Sequence, residues 1–139
     1  MQGKITVYAD HVRNKISRHI FGHFMEHSGK VIYESVYDPT SELADEDGFR
    51  TDVLEALREV KTPMLRYPGG NFVSNFFWED SVGPVDQRPA RLDLAWKTLE
   101  KNQVGLHEFN KWAKAANSEV MMAINLGTRG IADALNLLE

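Results

Sequence analysis

Three short apolar runs constrain this chain most: residues 20–25 (Ile-Phe-Gly-His-Phe-Met), 63–67 (Pro-Met-Leu-Arg-Tyr) and 120–126 (Val-Met-Met-Ala-Ile-Asn-Leu). In the first and third, apolar residues fall on both parities, as in strands covered on both faces of a parallel sheet. The runs recur at intervals of roughly 45–55 residues, long enough for a crossover helix between parallel strands. Helical spacing fills those intervals. Val53, Leu54, Leu57 and Val60 recur every three to four residues, with Asp47 and Asp52 near the positive end of the helix. Leu106, Phe109, Trp112, Ala113 and Ala116 mark a second helix, and Ile131, Ala134, Leu135 and Leu138 a third. Alternation of this kind predicts an α/β fold with a parallel sheet.

Around these elements, residues 5–8 (Ile-Thr-Val-Tyr) alternate apolar and polar and predict a further short strand. Residues 33–48 read as irregular, broken by Pro39, Ser41, Asp45, Asp47 and Gly48, and a long loop is expected from Asn71 to about Arg91. At 139 residues the chain is too short for a closed (β/α)8 barrel, which needs about 250. The third helix runs to Glu139 without a Gly, Pro or basic cap, so a truncated α/β domain is the expectation.

Composition removes several functions. The formal charge is −4 and no basic block reaches five residues, so no nucleic-acid partner is expected. With no cysteine, a disulfide framework, a Cys-ligated zinc and a thiol nucleophile are excluded. No run approaches eighteen apolar residues and the start has no apolar leader core, so neither a membrane span nor a signal peptide is read; a cytoplasmic setting is expected.

Ligands of parallel α/β folds meet the carboxyl ends of the strands. Three polar clusters fall there: Glu26-His27, residues 66–71, and residues 125–128. They offer a carboxylate, a guanidinium, amides and hydroxyls, a mixture suited to the hydroxyls of a neutral polyol. Trp78 and Trp96 could serve as apolar platforms for a sugar ring. The alternative is that each polar group satisfies loop backbone. His19, His23 and His27 recur every fourth residue, but on a strand that spacing is about 13 Å, and no metal site is expected. Gly127-Thr-Arg-Gly130 could cradle an anion on free N–H groups, or simply turn the chain.

Arg66-Tyr-Pro-Gly-Gly-Asn-Phe-Val73, Trp78-Glu-Asp80, Gly83-Pro84, Arg88-Pro89, Arg91-Leu-Asp-Leu-Ala-Trp96, Asn102-Gln103 and Asn125-Leu-Gly-Thr-Arg-Gly130 together give the resemblance. From about Ile5 to the end, the chain resembles the α-L-arabinofuranosidases of glycoside hydrolase family 51. The resemblance implies an enzyme releasing terminal α-L-arabinofuranosyl units from arabinan, arabinoxylan or their oligosaccharides. It also implies a (β/α)8 TIM barrel joined to a β-sandwich. Residues 1–15 would then be a strand segment of the sandwich, and residues 16–139 the first three βα units of an incomplete barrel. Glu26, Arg66, Asn71, Trp96 and Asn125 would bind substrate, with no cofactor and no metal. The family's retaining mechanism uses two glutamates about 5 Å apart; by resemblance both lie beyond Glu139, so no catalytic residue falls in this chain and it should be inactive alone. The complete enzyme would be a homo-oligomer. Two departures from the family pattern stand out: Glu34-Ser35 in place of a Gly pair, and Asn75-Phe-Phe77 in place of a Gly-Tyr pair. A carbohydrate-binding remnant without catalysis and a small anion-binding α/β protein are the rival readings.

Overall fold

The computed structural model describes residues 3–139. Strands β1 (His23–Phe24), β2 (Met64–Tyr67) and β5 (Glu119–Met122) form a parallel sheet in the order β1-β2-β5. Helix α1 (Thr51–Glu59) links β1 to β2, α2 (Leu106–Ala115) precedes β5, and α3 (Ile131–Leu138) follows it. The mixed α/β class and parallel sheet expected from the apolar runs are therefore present. Between β2 and α2, three single turns of 3-10 helix and an antiparallel hairpin, β3 (Arg91–Leu92) with β4 (Leu99–Glu100), occupy the expected loop.

One face of β2 makes the core. Leu65 and Tyr67 are buried, while Met64 and Arg66 on the other face are half-buried, the two-residue period of a pleated strand. Against the buried face pack Phe109, Trp112 and Ala113 of α2, with Leu54 of α1 and Met25, Ile32, Val36 and Phe49 from the β1–α1 segment. The Tyr67 and Phe109 rings stack with centroids 3.9 Å apart. Side chains at three-to-four spacing on α2 meet the sheet because they share one helix face.

Three expected strands differ from expectation. Residues 5–8 form no strand: Ile5 and Val7 are 91% and 82% exposed. Alternation makes a strand only when a neighbour supplies the ladder, and no described segment pairs with residues 5–8. In the run 20–25, the stretch Arg18–Phe21 is instead a turn of 3-10 helix capped by the Ser17 hydroxyl, and only His23–Phe24 is strand. Of that run only Met25 is buried, because β1 is a sheet edge with one neighbour. The third run also shortens, since β5 ends at Met122 and Asn125 turns the chain. The apolar residues of α3 are not core either: Ile131, Leu135 and Leu138 are exposed, and no described element covers them.

Candidate functional site

The site begins where β1 and β2 end. The N–H groups of Met25 and His27 donate to the carbonyls of Arg66 and Pro68, at 2.8 and 3.0 Å. These bonds hold Glu26 beside the Tyr67-Pro68-Gly69-Gly70-Asn71 segment. A Cβ on Gly69 would stand 2.4 Å from Cγ of Glu26, and Gly69 has φ +154°. Glycine is therefore required there for close approach. At Gly70 a Cβ would find ordinary contact, 3.5 Å from the Glu26 carboxylate.

Oε1 of Glu26 accepts the Phe72 N–H at 2.9 Å and the Trp96 indole N–H at 3.2 Å. Partial burial pushes the Glu26 carboxyl up, but these two donors, the Gly70 N–H and the Arg66 charge outweigh it and hold the group below its ordinary value. Arg66 reaches in from β2, its guanidinium 5.0 Å over the Phe24 ring. Its Nε is buried without a hydrogen-bond partner. Trp96 arrives on the β3–β4 turn, where the buried Asp93 carboxylate accepts the Trp96 backbone N–H at 2.6 Å. Asn71 is exposed beside them and its amide does not cap the following turn.

Four of the five residues singled out in the sequence thus gather at one rim: Glu26, Arg66, Asn71 and Trp96. Asn125 does not extend that cluster in the same way. It is buried; its Nδ2 donates to the Phe76 carbonyl and the Thr128 hydroxyl, and its Oδ1 accepts the Gly127 and Thr128 N–H groups. Its bonds shape the turn before α3 and tie that turn to the Phe76 carbonyl in the segment after β2. Trp78 lies away from Glu26, lining a small cavity with Phe76, Ile124 and Arg129. The three histidines separate: His19 pairs with Glu119 at 3.3 Å, His23 is exposed on β1, and His27 is buried. Among the described residues no group of three or more His, Asp or Glu is arranged to hold a metal.

Beneath Glu26 lies a buried network that the sequence did not flag. Nδ1 of His27 stands 2.9 Å from Oε2 of Glu100 at the end of β4. Its Nε2 stands 2.7 Å from the Tyr67 hydroxyl, which itself donates to the Val104 carbonyl at 2.9 Å. Glu100 also accepts the Tyr33 hydroxyl and the Asn102 N–H. Burial pushes the Glu100 carboxyl up, but His27, Tyr33 and Asn102 together hold it below the usual range. The same burial, and the nearby carboxylate, raise the Tyr33 and Tyr67 hydroxyls. No short motif marks this set, whose members are spread from residue 27 to residue 104. The Asp93-x-x-Trp96 spacing, an Asx-type turn, was the available signal for the hairpin.

A carboxylate, a guanidinium, an amide and an indole thus lie together at the carboxyl end of a parallel α/β sheet, the place where ligands of such folds meet the chain. The family model described as "Alpha-L-arabinofuranosidase 1 domain" matches residues 56–137. The chain is 57% identical over 138 residues to an intracellular exo-alpha-(1->5)-L-arabinofuranosidase of Acetivibrio thermocellus, covering 99% of this chain and 27% of that protein. It is 51% identical over 138 residues to a Bacillus subtilis protein of the same description, covering 99% and 28%. Among solved structures, a thermostable family 51 α-L-arabinofuranosidase of Thermotoga petrophila superposes with TM-score 0.87 at 53% identity, covering 89% of this chain and 26% of that one. A Thermotoga maritima α-L-arabinofuranosidase, solved as its arabinose complex, gives the same TM-score, identity and coverages. The chain belongs to the family 51 α-L-arabinofuranosidases. It spans about a quarter of the length of the curated relatives it matches.

Proposed function

We propose that this chain supplies one wall of the arabinofuranosyl pocket of a retaining α-L-arabinofuranosidase acting on terminal units of arabinan, arabinoxylan or arabino-oligosaccharides. One observation carries the reading: the Glu26 carboxylate, kept ionised by the Phe72 and Trp96 N–H donors, faces the rim that also holds Arg66 and Asn71. A carboxylate accepts sugar hydroxyls, the Arg66 guanidinium supplies charged N–H donors, and the Trp96 ring offers an apolar face. Asn125 holds the turn before α3 to the Phe76 carbonyl.

In this reading residues 16–139 are the first three βα units of a TIM barrel, and residues 1–15 belong to a β-sandwich domain. The acid/base and nucleophilic glutamates belong to later strands, outside this chain, and the chain alone binds without hydrolysing. The complete enzyme is a homo-oligomer, and its cytoplasmic setting is in keeping with relatives described as intracellular. Its chemistry needs two carboxylates and no cofactor.

Calorimetric titration with L-arabinose, paired with an aryl α-L-arabinofuranoside assay, tests both halves. Binding that is lost in Glu26→Gln and Asn71→Ala, without turnover, is the expected result. Absence of arabinose binding in the folded chain overturns the pocket, and turnover by the chain overturns the placement of the catalytic pair elsewhere.

A further inference from the structure

Glu26 and Trp96 are 70 positions apart, yet a closed ring of contacts joins them. Glu26 is covalently next to His27; His27 contacts Glu100; Glu100 ends the hairpin that carries Trp96; and Trp96 returns to Glu26. A second tie runs inside the ring, because the His27 imidazole stacks on Phe72 at 4.7 Å and 24°, and the Phe72 N–H donates to Glu26. His27 and Glu100 have side chains only 3% and 8% exposed. Neither reaches the rim where a sugar would sit. A buried pair of this kind contributes little net stability over an apolar pair of equal volume. What it supplies is geometry: the 2.9 Å approach of Nδ1 to Oε2, the Tyr67 hydroxyl at His27 Nε2, and the Tyr33 and Asn102 donors to Glu100 fix where both side chains lie.

We infer that the buried His27–Glu100 pair is a positioning strut that sets the Trp96 indole against the Glu26 carboxylate and so fixes the width of the sugar pocket. This inference rests on the pocket reading above only for its sugar-binding arm. His27 and Glu100 are positioning residues, acting through Glu26 and Trp96.

The test reads the indole N–H resonance of Trp96 in the tryptophan-labelled chain, assigned with Trp96→Phe and calibrated with Glu26→Gln, in which the carboxylate acceptor is gone. In His27→Gln and Glu100→Gln the Trp96 resonance is expected to move upfield by at least half of the Glu26→Gln displacement, and arabinose affinity to fall roughly tenfold. The Trp112 indole, buried in the core, serves as the folding control in each variant. Leu54→Val loosens the same core outside the ring and should leave Trp96 in place. If Glu100→Gln does not fold, Tyr33→Phe removes one donor to Glu100 with the His27 contact intact, and a smaller shift in the same direction is expected. An unmoved Trp96 resonance in the folded variants, or an equal displacement in Leu54→Val, overturns the strut. If the wild-type chain binds no arabinose, the pocket reading fails alone, because the Trp96 resonance needs no sugar.

Discussion

The indole N–H of Trp96 donates to the Glu26 carboxylate at 3.2 Å, joining the turn of the β3–β4 hairpin to the end of the sheet's edge strand. That bond aims the carboxylate and lays the aromatic ring beside it. Trp96→Phe keeps a ring and removes the donor. Arabinose affinity is expected to fall by roughly 10- to 150-fold, the worth of one hydrogen bond to a charged acceptor. The Glu26 carboxyl should also titrate at higher pH, which carboxyl-labelled NMR reads directly.

Gly69 and Gly70 adjoin each other but should respond oppositely to alanine. At Gly69 the new Cβ meets Glu26 Cγ at 2.4 Å, on a backbone with positive φ, whereas at Gly70 the nearest atom is at 3.5 Å. Gly69→Ala is expected to destabilise by about 1–3 kcal/mol as an overpacked site and to abolish arabinose binding. Gly70→Ala should stay within about 0.5 kcal/mol of the parent. Urea denaturation compares the two.

Arg88 has a side chain only 3% exposed. It donates to the carbonyls of Gly83 and Asn102 and to both carboxylate oxygens of Glu108 on α2. It therefore ties the 3-10 region, the hairpin exit and the start of α2 together. Arg88→Met strands a partly buried carboxylate and should cost about 3–5 kcal/mol. Adding Glu108→Leu should restore part of that loss, and a double-mutant cycle by urea unfolding measures how much.

Glu100 gives the protein an acid-side weakness. Its folded-state carboxyl lies below the ordinary value, so the unfolded chain takes up the proton first. The stabilisation is complete above the unfolded glutamate value of about 4.3 and is lost as pH falls through the lower folded value. The urea midpoint of the wild-type chain should drop more steeply below pH 4 than that of Glu100→Gln, which lacks the titrating group. Parallel profiles for the two proteins would contradict the assignment.

Glu34, one of the two departures from the family's glycine pattern, has φ +66°. A side chain in that region costs roughly 1–2 kcal/mol, offset here only by an exposed Lys30 contact. Glu34→Gly should raise stability by about 1 kcal/mol, less the extra freedom that glycine gains in the unfolded chain. Thermal unfolding checks the sign.

The elements most legible in the sequence were those whose patterns are completed within the chain. α1 and α2 both find the sheet they were patterned to cover, and β2, flanked by two strands, falls where its apolar run predicts. Residues 5–8 and the exposed face of α3 carry equally clear patterns, but no described neighbour answers them. Periodicity reports what a segment could bury; a partner decides whether it does. Arg66, Asn71 and Trp96 were legible through the family's long motifs, and Glu26 through its place just after the first apolar run. The roles of His27, Glu100 and Tyr33 were not, because isolated polar residues acquire a common environment only after the hairpin folds over β1. Asn125 was found by motif, yet its turn-forming bonds could only be seen in three dimensions.

Tyr67 belongs to two neighbourhoods at once: its ring lies flat on Phe109 in the core, and its hydroxyl meets His27 under the pocket. Core and pocket therefore share a side chain and have no boundary between them. A library that varies α2 for thermal tolerance would reach, through the Tyr67 ring, the His27 that adjoins Glu26. Selection for heat resistance and selection for substrate preference should meet at this tyrosine, and improvements found separately should fail to add.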